Sequence, residues 1–138
     1  VARTETTLVD ANILLDLVTK DPVWWAWSID QLDQAPMRGP LWINDIIYAE
    51  VSTRFATVEA LDDVIDGSGL VIHAVPRPAL FLAAKMFQRT RRNGSTRTGV
   101  LPDFFTGAHA AVAGVPVLTR DPSRYRRCFP TLSVLAPT

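Results

Sequence analysis

Four acidic residues stand where short apolar runs or helix starts would hold them. Asp10 closes Thr7-Leu8-Val9, and Glu50 lies in the stretch after Leu41-Trp42-Ile43. Asp103 follows Pro102, and Asp121 comes three residues after Val115-Pro116-Val117-Leu118. Carboxylates facing one cavity raise each other's pKa unless a cation is present. Hard oxygen donors suit magnesium or manganese far better than zinc. Such ions can lower the pKa of a bound water and stabilise charge on a phosphodiester; a pair about 4 Å apart can clamp both the attacking and leaving oxygens. Phosphodiester hydrolysis then needs little more than acids held in place and a cationic grip on the backbone. Each acid also has a plainer use. Asp10 can cap the following helix, Asp103 can sit on its own helix dipole, Glu50 can pair with Arg54 at i,i+4, and Asp121 before Pro122 can be a turn residue.

The elements around these acids follow from pattern and punctuation. Strands are expected at Thr7–Val9, Leu41–Ile43, Leu70–Ile72 and Val115–Leu118, with a possible fifth at Leu132–Leu135. Helices are expected over Ala11–Val18 and from Pro22 to about Gln34. Another starts at Asn44 or Asp45 and carries Glu50; others run over Thr57–Ile65, Pro78–Arg92 and Pro102–Ala113. Short apolar strands alternating with helices predict an α/β fold with a mainly parallel sheet of four to five strands, covered on both faces. Ligands bind beyond the carboxyl ends of such strands, and right-handed crossovers bring all four acids to that edge. His109 lies six residues past Asp103, about 240° around the helix, so it reads as a core or interface residue. His73, at a strand end, is given no catalytic role. Asp16 and Asp45 read as structural acids.

The 138 residues, 48% hydrophobic and 20% charged, form a single domain over 1–138. No apolar run is long enough to span a membrane, and the opening Val-Ala-Arg-Thr-Glu-Thr-Thr lacks a signal peptide's apolar core. A lone Cys128 excludes an internal disulfide and a cysteine-based zinc site, so a cytoplasmic location is expected. The net charge of zero is unevenly spread: residues 1–70 hold 4 basic against 12 acidic residues, and residues 71–138 hold 10 against 2. Twelve of the basic residues are arginines, which suit bidentate phosphate contacts. The halves can also fold together and balance locally. Trp24, Trp25, Trp27 and Trp42 read as core or interface residues.

Four segments together resemble the PIN-domain ribonucleases. Val9-Asp10-Ala11-Asn12-Ile13-Leu14-Leu15-Asp16 is similar to the family's opening, Tyr48-Ala49-Glu50-Val51 to its second acid, and Pro102-Asp103-Phe104-Phe105-Thr106-Gly107-Ala108-His109-Ala110 to its third segment. Thr119-Arg120-Asp121-Pro122-Ser123-Arg124-Tyr125 is similar to the fourth. Order and spacing match over nearly the whole chain, and size and layout most resemble the VapC-type toxins of bacterial toxin–antitoxin pairs. The resemblance implies a three-layer α/β/α fold and an endoribonuclease whose catalytic and metal-holding residues are Asp10, Glu50, Asp103 and Asp121. It implies a Mg2+ cofactor, with Mn2+ able to substitute, an RNA substrate, a homodimer and inhibition by a cognate antitoxin. Asn12 is expected to orient Asp10 or a metal-bound water, and Thr119 to support Asp121. Arg91, Arg92, Arg97, Arg120 and Arg124 are candidate RNA contacts, and the helix bearing Trp24, Trp25 and Trp27 is a candidate antitoxin surface. Thr106 and Tyr125 depart from the usual residues of the family, and neither is expected to touch the acids.

Two other readings compete. A receiver domain or haloacid-dehalogenase-type phosphatase also places an Asp after strand one. The phosphatase needs a second acid where this chain has Asn12, and both need a lysine near a late strand, where neither Lys20 nor Lys85 falls. The other is a catalytically silent PIN-like module that only binds RNA or protein.

Overall fold

A computed structural model describes residues 5–37, 39–94 and 101–138. Strands β1 (Thr7–Val9), β2 (Leu41–Ile43), β3 (Leu70–Ile72), β4 (Val117–Leu118) and β5 (Val134–Leu135) form one sheet in the order β3-β2-β1-β4-β5. Every pairing is parallel, from Thr7 opposite Leu41 in β1–β2 to Val117 opposite Val134 in β4–β5. Helices α1 (Ala11–Thr19) and α2 (Trp25–Gln34) connect β1 to β2, and α3 (Asp45–Ser52) and α4 (Val58–Gly67) connect β2 to β3. Helices α5 (Arg77–Arg92) and α6 (Pro102–Ala113) lead back across to β4, and α7 (Ser123–Cys128) leads on to β5.

Successive strand residues point to opposite faces, so the complete burial of Thr7, Leu8 and Val9 means that both faces of β1 are covered. One core surrounds these strands and takes in Ile13, Ile47, Val51, Leu61 and Ala110. A second cluster joins α5 and α6 through Ala79, Ala83, Phe104 and Ala108, closed by Phe129. Gly107 on α6 lies under the Phe129 ring, where a Cβ would collide with it. Gly114 ends α6 in the left-handed region at φ 69, a conformation that penalises residues bearing a Cβ.

Local chemistry moves some element ends from their expected positions. The helix expected from Pro22 begins at Trp25 instead. The Asp21 carboxylate accepts from the backbone N–H of Val23 and Trp24, both at 2.9 Å, and holds residues 22–24 as a turn. Pro116 has no N–H to give a ladder, and β4 starts after it, at Val117. Helix α7 was not expected; with six residues it is too short to show a helical period. Among the described residues no helix is long and apolar enough to cross a membrane.

Candidate active site

From β1 the chain steps to β2 on one side and, later, to β4 on the other, so the strand order reverses between β1 and β4. Ligands of open α/β sheets sit in the crevice at such a reversal. Asp10 leaves β1 there, its N–H donating to the Leu118 carbonyl at 2.9 Å, while Thr119 leaves β4 beside it.

Asp10 is 4% exposed and its carboxylate is held on both oxygens. Oδ1 accepts from the Ala11 N–H at 2.7 Å, which makes Asp10 the cap of α1. Oδ2 accepts from the hydroxyls of Thr119 and Tyr125, both at 2.9 Å, and from Asn12 Nδ2 at 3.4 Å. Thr119 Oγ1 also accepts from Asn12 Nδ2 at 3.0 Å and from the Asp121 N–H at 3.1 Å, while Asn12 Oδ1 accepts from the Arg120 N–H at 3.3 Å. Asn12 and Thr119 thus orient Asp10, and they tie it to the loop after β4. Tyr125, expected to stand clear of the acids, touches the first of them. It is buried at 1% exposure, and a buried phenol must find a hydrogen-bond partner. That requirement was the signal available in the sequence.

The charge of Asp103 reaches Asp10, and the charges of both reach Glu50. Burial and then the charge of Asp103 raise Asp10 to about 6, against the pull of its hydrogen bonds. Burial, then Asp10 and Asp103, raises Glu50 to about 7. Burial and these same three acids push the Tyr125 hydroxyl well above its ordinary value. Glu50 Oε1 is buried without a hydrogen-bond partner. Glu50 also makes no ion pair with Arg54: among the described residues the ion pairs are Arg120–Asp16 and Arg124–Asp103. Asp103 lies in the first turn of α6, and its Oδ2 accepts from Arg124 Nη1 at 2.7 Å. Asp121 is exposed and joins the group through its backbone N–H; its carboxylate is not among the charges that raise Asp10 or Glu50.

The donors fit a divalent cation in kind. They are hard oxygens, they repel one another, and one is buried and unpartnered, a set of costs that a cation would relieve. Among the described residues, however, no three acids, histidines or cysteines converge as a ready-made metal cage. Asp103 is tied to Arg124 instead.

The other singled-out residues have structural partners. Asp16 is buried and accepts from Ser28 Oγ at 2.8 Å and from Arg120 Nε at 2.9 and 3.0 Å. Arg120 also lies over the Trp24 ring, so much of its guanidinium is already engaged. Asp45 accepts from the Val75 N–H at 3.1 Å. Buried His109 stacks near Trp42 and bonds Asn44, and His73 stacks on Trp42 at 3.9 Å. Lys20 caps α1 and Lys85 lies over Phe81, so neither has a phosphoaspartate partner's role beside Asp10. Arg91 and Arg92 are exposed near the end of α5, and Arg97 lies outside the described residues.

No protein-family model and no curated protein matches the sequence. Solved structures match the fold. A chain of VapBC2 from Rickettsia felis, bound to a promoter DNA fragment, has a TM-score of 0.73 at 17% identity, over 96% of this chain and 99% of that one. A chain of DNA-bound VapBC from Salmonella typhimurium gives 0.68 at 18%, over 96% and 98%. A chain of FitAcB from Neisseria gonorrhoeae gives 0.58 at 15%, over 94% and 96%. With five parallel strands, helices on both faces and this likeness over almost the whole chain, the protein has the PIN-like three-layer α/β/α fold.

Proposed function

We propose that this chain is a magnesium-dependent endoribonuclease, with manganese able to substitute, and the toxin of a toxin–antitoxin pair. The observation that carries the nuclease reading is Glu50 Oε1, buried and unpartnered, on an acid that the charges of Asp10 and Asp103 both reach. Asp10, Glu50 and Asp103 would hold the cation, with Asp121 reaching it only through rearrangement or a water. When bound, the cation supplies a more acidic water and stabilises charge on the phosphodiester. Asn12, Thr119 and Tyr125 keep Asp10 aimed, so the acid does not reorganise during the reaction. Arg124 neutralises Asp103 until a cation or a phosphate competes for one of the two.

The toxin reading rests on the fold shared with chains of VapBC and FitAcB complexes. RNA as substrate, a homodimer and a cognate antitoxin belong to the same reading. Val23, Trp25 and Met37 are 74%, 40% and 88% exposed, which leaves apolar surface around α2 for a protein partner. The Arg124–Asp103 pair favours one second reading, a PIN-like module that binds RNA without cutting it.

Cleavage of a labelled single-stranded RNA by pure protein separates the two. Activity is expected with magnesium or manganese and not in EDTA, and it should be lost in Glu50→Gln and Asp103→Asn variants with unchanged circular dichroism. EDTA-resistant cleavage that survives both substitutions sinks the metal-dependent reading, and RNA binding without cleavage in any metal leaves the silent module.

A further inference from the structure

A cavity of about 470 Å³ opens between α5, the start of α6 and α7, and is lined in part by Arg124, which also bonds Asp103. Its volume is that of a small-molecule site, roughly 300–1,000 Å³. Met86, Leu101 and Phe104 give it an apolar floor, and Arg89, Arg124 and Arg127 line it with positive charge. Among the described residues no acidic side chain lines it. Arg124 is paired to Asp103, whereas among the described residues neither Arg89 nor Arg127 takes part in an ion pair. Unneutralised guanidinium groups around an apolar hollow match an unpaired nucleotide, whose base needs an apolar seat and whose phosphates need cations. The remaining arginine bridges the hollow to the acids.

We propose that this cavity is a subsite for one unpaired nucleotide of an RNA strand that runs past Asp103. The base rests on Met86 and Leu101, the flanking phosphates engage Arg89 and Arg127, and Arg124 stands between the subsite and the acids. This rests on the ribonuclease reading and adds to it where a neighbouring nucleotide sits. It assigns the grip to Arg89 and Arg127, which sequence reasoning did not select, ahead of Arg91 and Arg92.

Cys128, the only cysteine of the chain, lines the same cavity and reports on its occupancy. The test alkylates Cys128 with iodoacetamide in EDTA, with and without a saturating single-stranded RNA oligonucleotide, and measures RNA affinity against salt. RNA should slow alkylation at least about fivefold. In an Arg89→Ala/Arg127→Ala variant the protection should disappear. The salt slope should flatten by about 1.4, at about 0.7 for each lost single-strand phosphate contact. Both arginines are exposed, so the variant should fold as the wild type does. Arg77→Ala, at the start of α5, should change neither readout. If RNA is bound and cut but Cys128 stays unprotected and the double variant keeps its slope, the subsite is overturned while the ribonuclease reading stands. Protection by polyglutamate but not by RNA would also overturn it, in favour of an acidic peptide. If the wild type neither binds RNA nor cuts it with magnesium, the ribonuclease reading fails and the subsite fails with it.

Discussion

The Tyr125 hydroxyl donates to Asp10 Oδ2 at 2.9 Å, across 115 residues of sequence, from a side chain almost entirely buried. This bond stabilises the charged form of an acid that burial and Asp103 push the other way. Tyr125→Phe keeps the packing and removes the donor. The variant should fold and lose about 1 kcal/mol of stability. In EDTA, the Asp10 carboxyl should titrate above its wild-type value of about 6, as followed by carboxyl carbon NMR. An unchanged titration would mean that Thr119 and Asn12 alone set the state of Asp10.

Glu50 should destabilise the metal-free protein at neutral pH. Its pKa rises from 4.5 unfolded to about 7 folded, so the unfolded state ionises first as pH increases. The penalty is absent below about pH 4.5, grows through the interval and is complete above about 7. In EDTA at pH 8, Glu50→Gln should be more stable than wild type by about 1 kcal/mol, the full shift being discounted for screening at a partly exposed group. The two proteins should converge near pH 4. Saturating magnesium should raise the melting temperature of the wild type more than that of the variant. Equal stability in EDTA at every pH would remove the repulsion on which the metal reading depends.

His109 should make the fold sensitive to acid. Its pKa lies below the ordinary value because burial disfavours the charged ring and His73 repels it, with Asp45 opposing weakly. Asn44 spends Oδ1 on the Ile47 N–H at 2.8 Å, which leaves its Nδ2–H to donate to His109 Nδ1 at 3.2 Å and requires the neutral ring. A depressed histidine contributes stability that is whole above the unfolded value of 6.5 and fades as pH falls toward the folded pKa. His109→Phe should cost about 1–3 kcal/mol at pH 7 by stranding the Asn44 amide, and it should flatten the stability curve as pH falls below 6.5. Urea melts across that range read both effects.

Gly107→Ala should be destabilising although α6 gains helix propensity. The added methyl meets the Phe129 ring, which closes the α5–α6 cluster. Overpacking of this kind costs about 1–3 kcal/mol. Phe129→Leu should recover part of the loss in a double-mutant cycle, and strict additivity would show that the ring is not the obstacle.

Much of this arrangement is readable in local pattern. Thr7–Val9, Leu41–Ile43 and Leu70–Ile72 are short apolar runs bounded by helix signals, and the strands fall at the expected residues. Asp10, Glu50 and Asp103 come near enough for charge to be felt between them because the elements that carry them meet at one end of the strands. Side-chain partnerships without a local period are not readable. Arg120 reaches Asp16 over 104 residues and Arg124 reaches Asp103 from a six-residue helix, carboxylate partners that no local pattern announces. The exposure of Asp121 belongs to the same class, since Thr119 turns its backbone rather than its carboxylate toward the site.

The strand order also decides when the site can exist during synthesis. β1 is central, yet one of its two neighbours is β4, and the hydroxyls of Thr119 and Tyr125 reach Asp10 from 109 and 115 positions away. Such long-range closures form late, after the loop entropy between them has been overcome. A chain still lacking Val117 to Tyr125 has Asp10 capping its helix without Thr119, Tyr125 or the covering strand. A ribosome making this protein would therefore carry an incomplete, unaimed acid until nearly the whole domain had emerged, and the organised site would arise only in a finished fold.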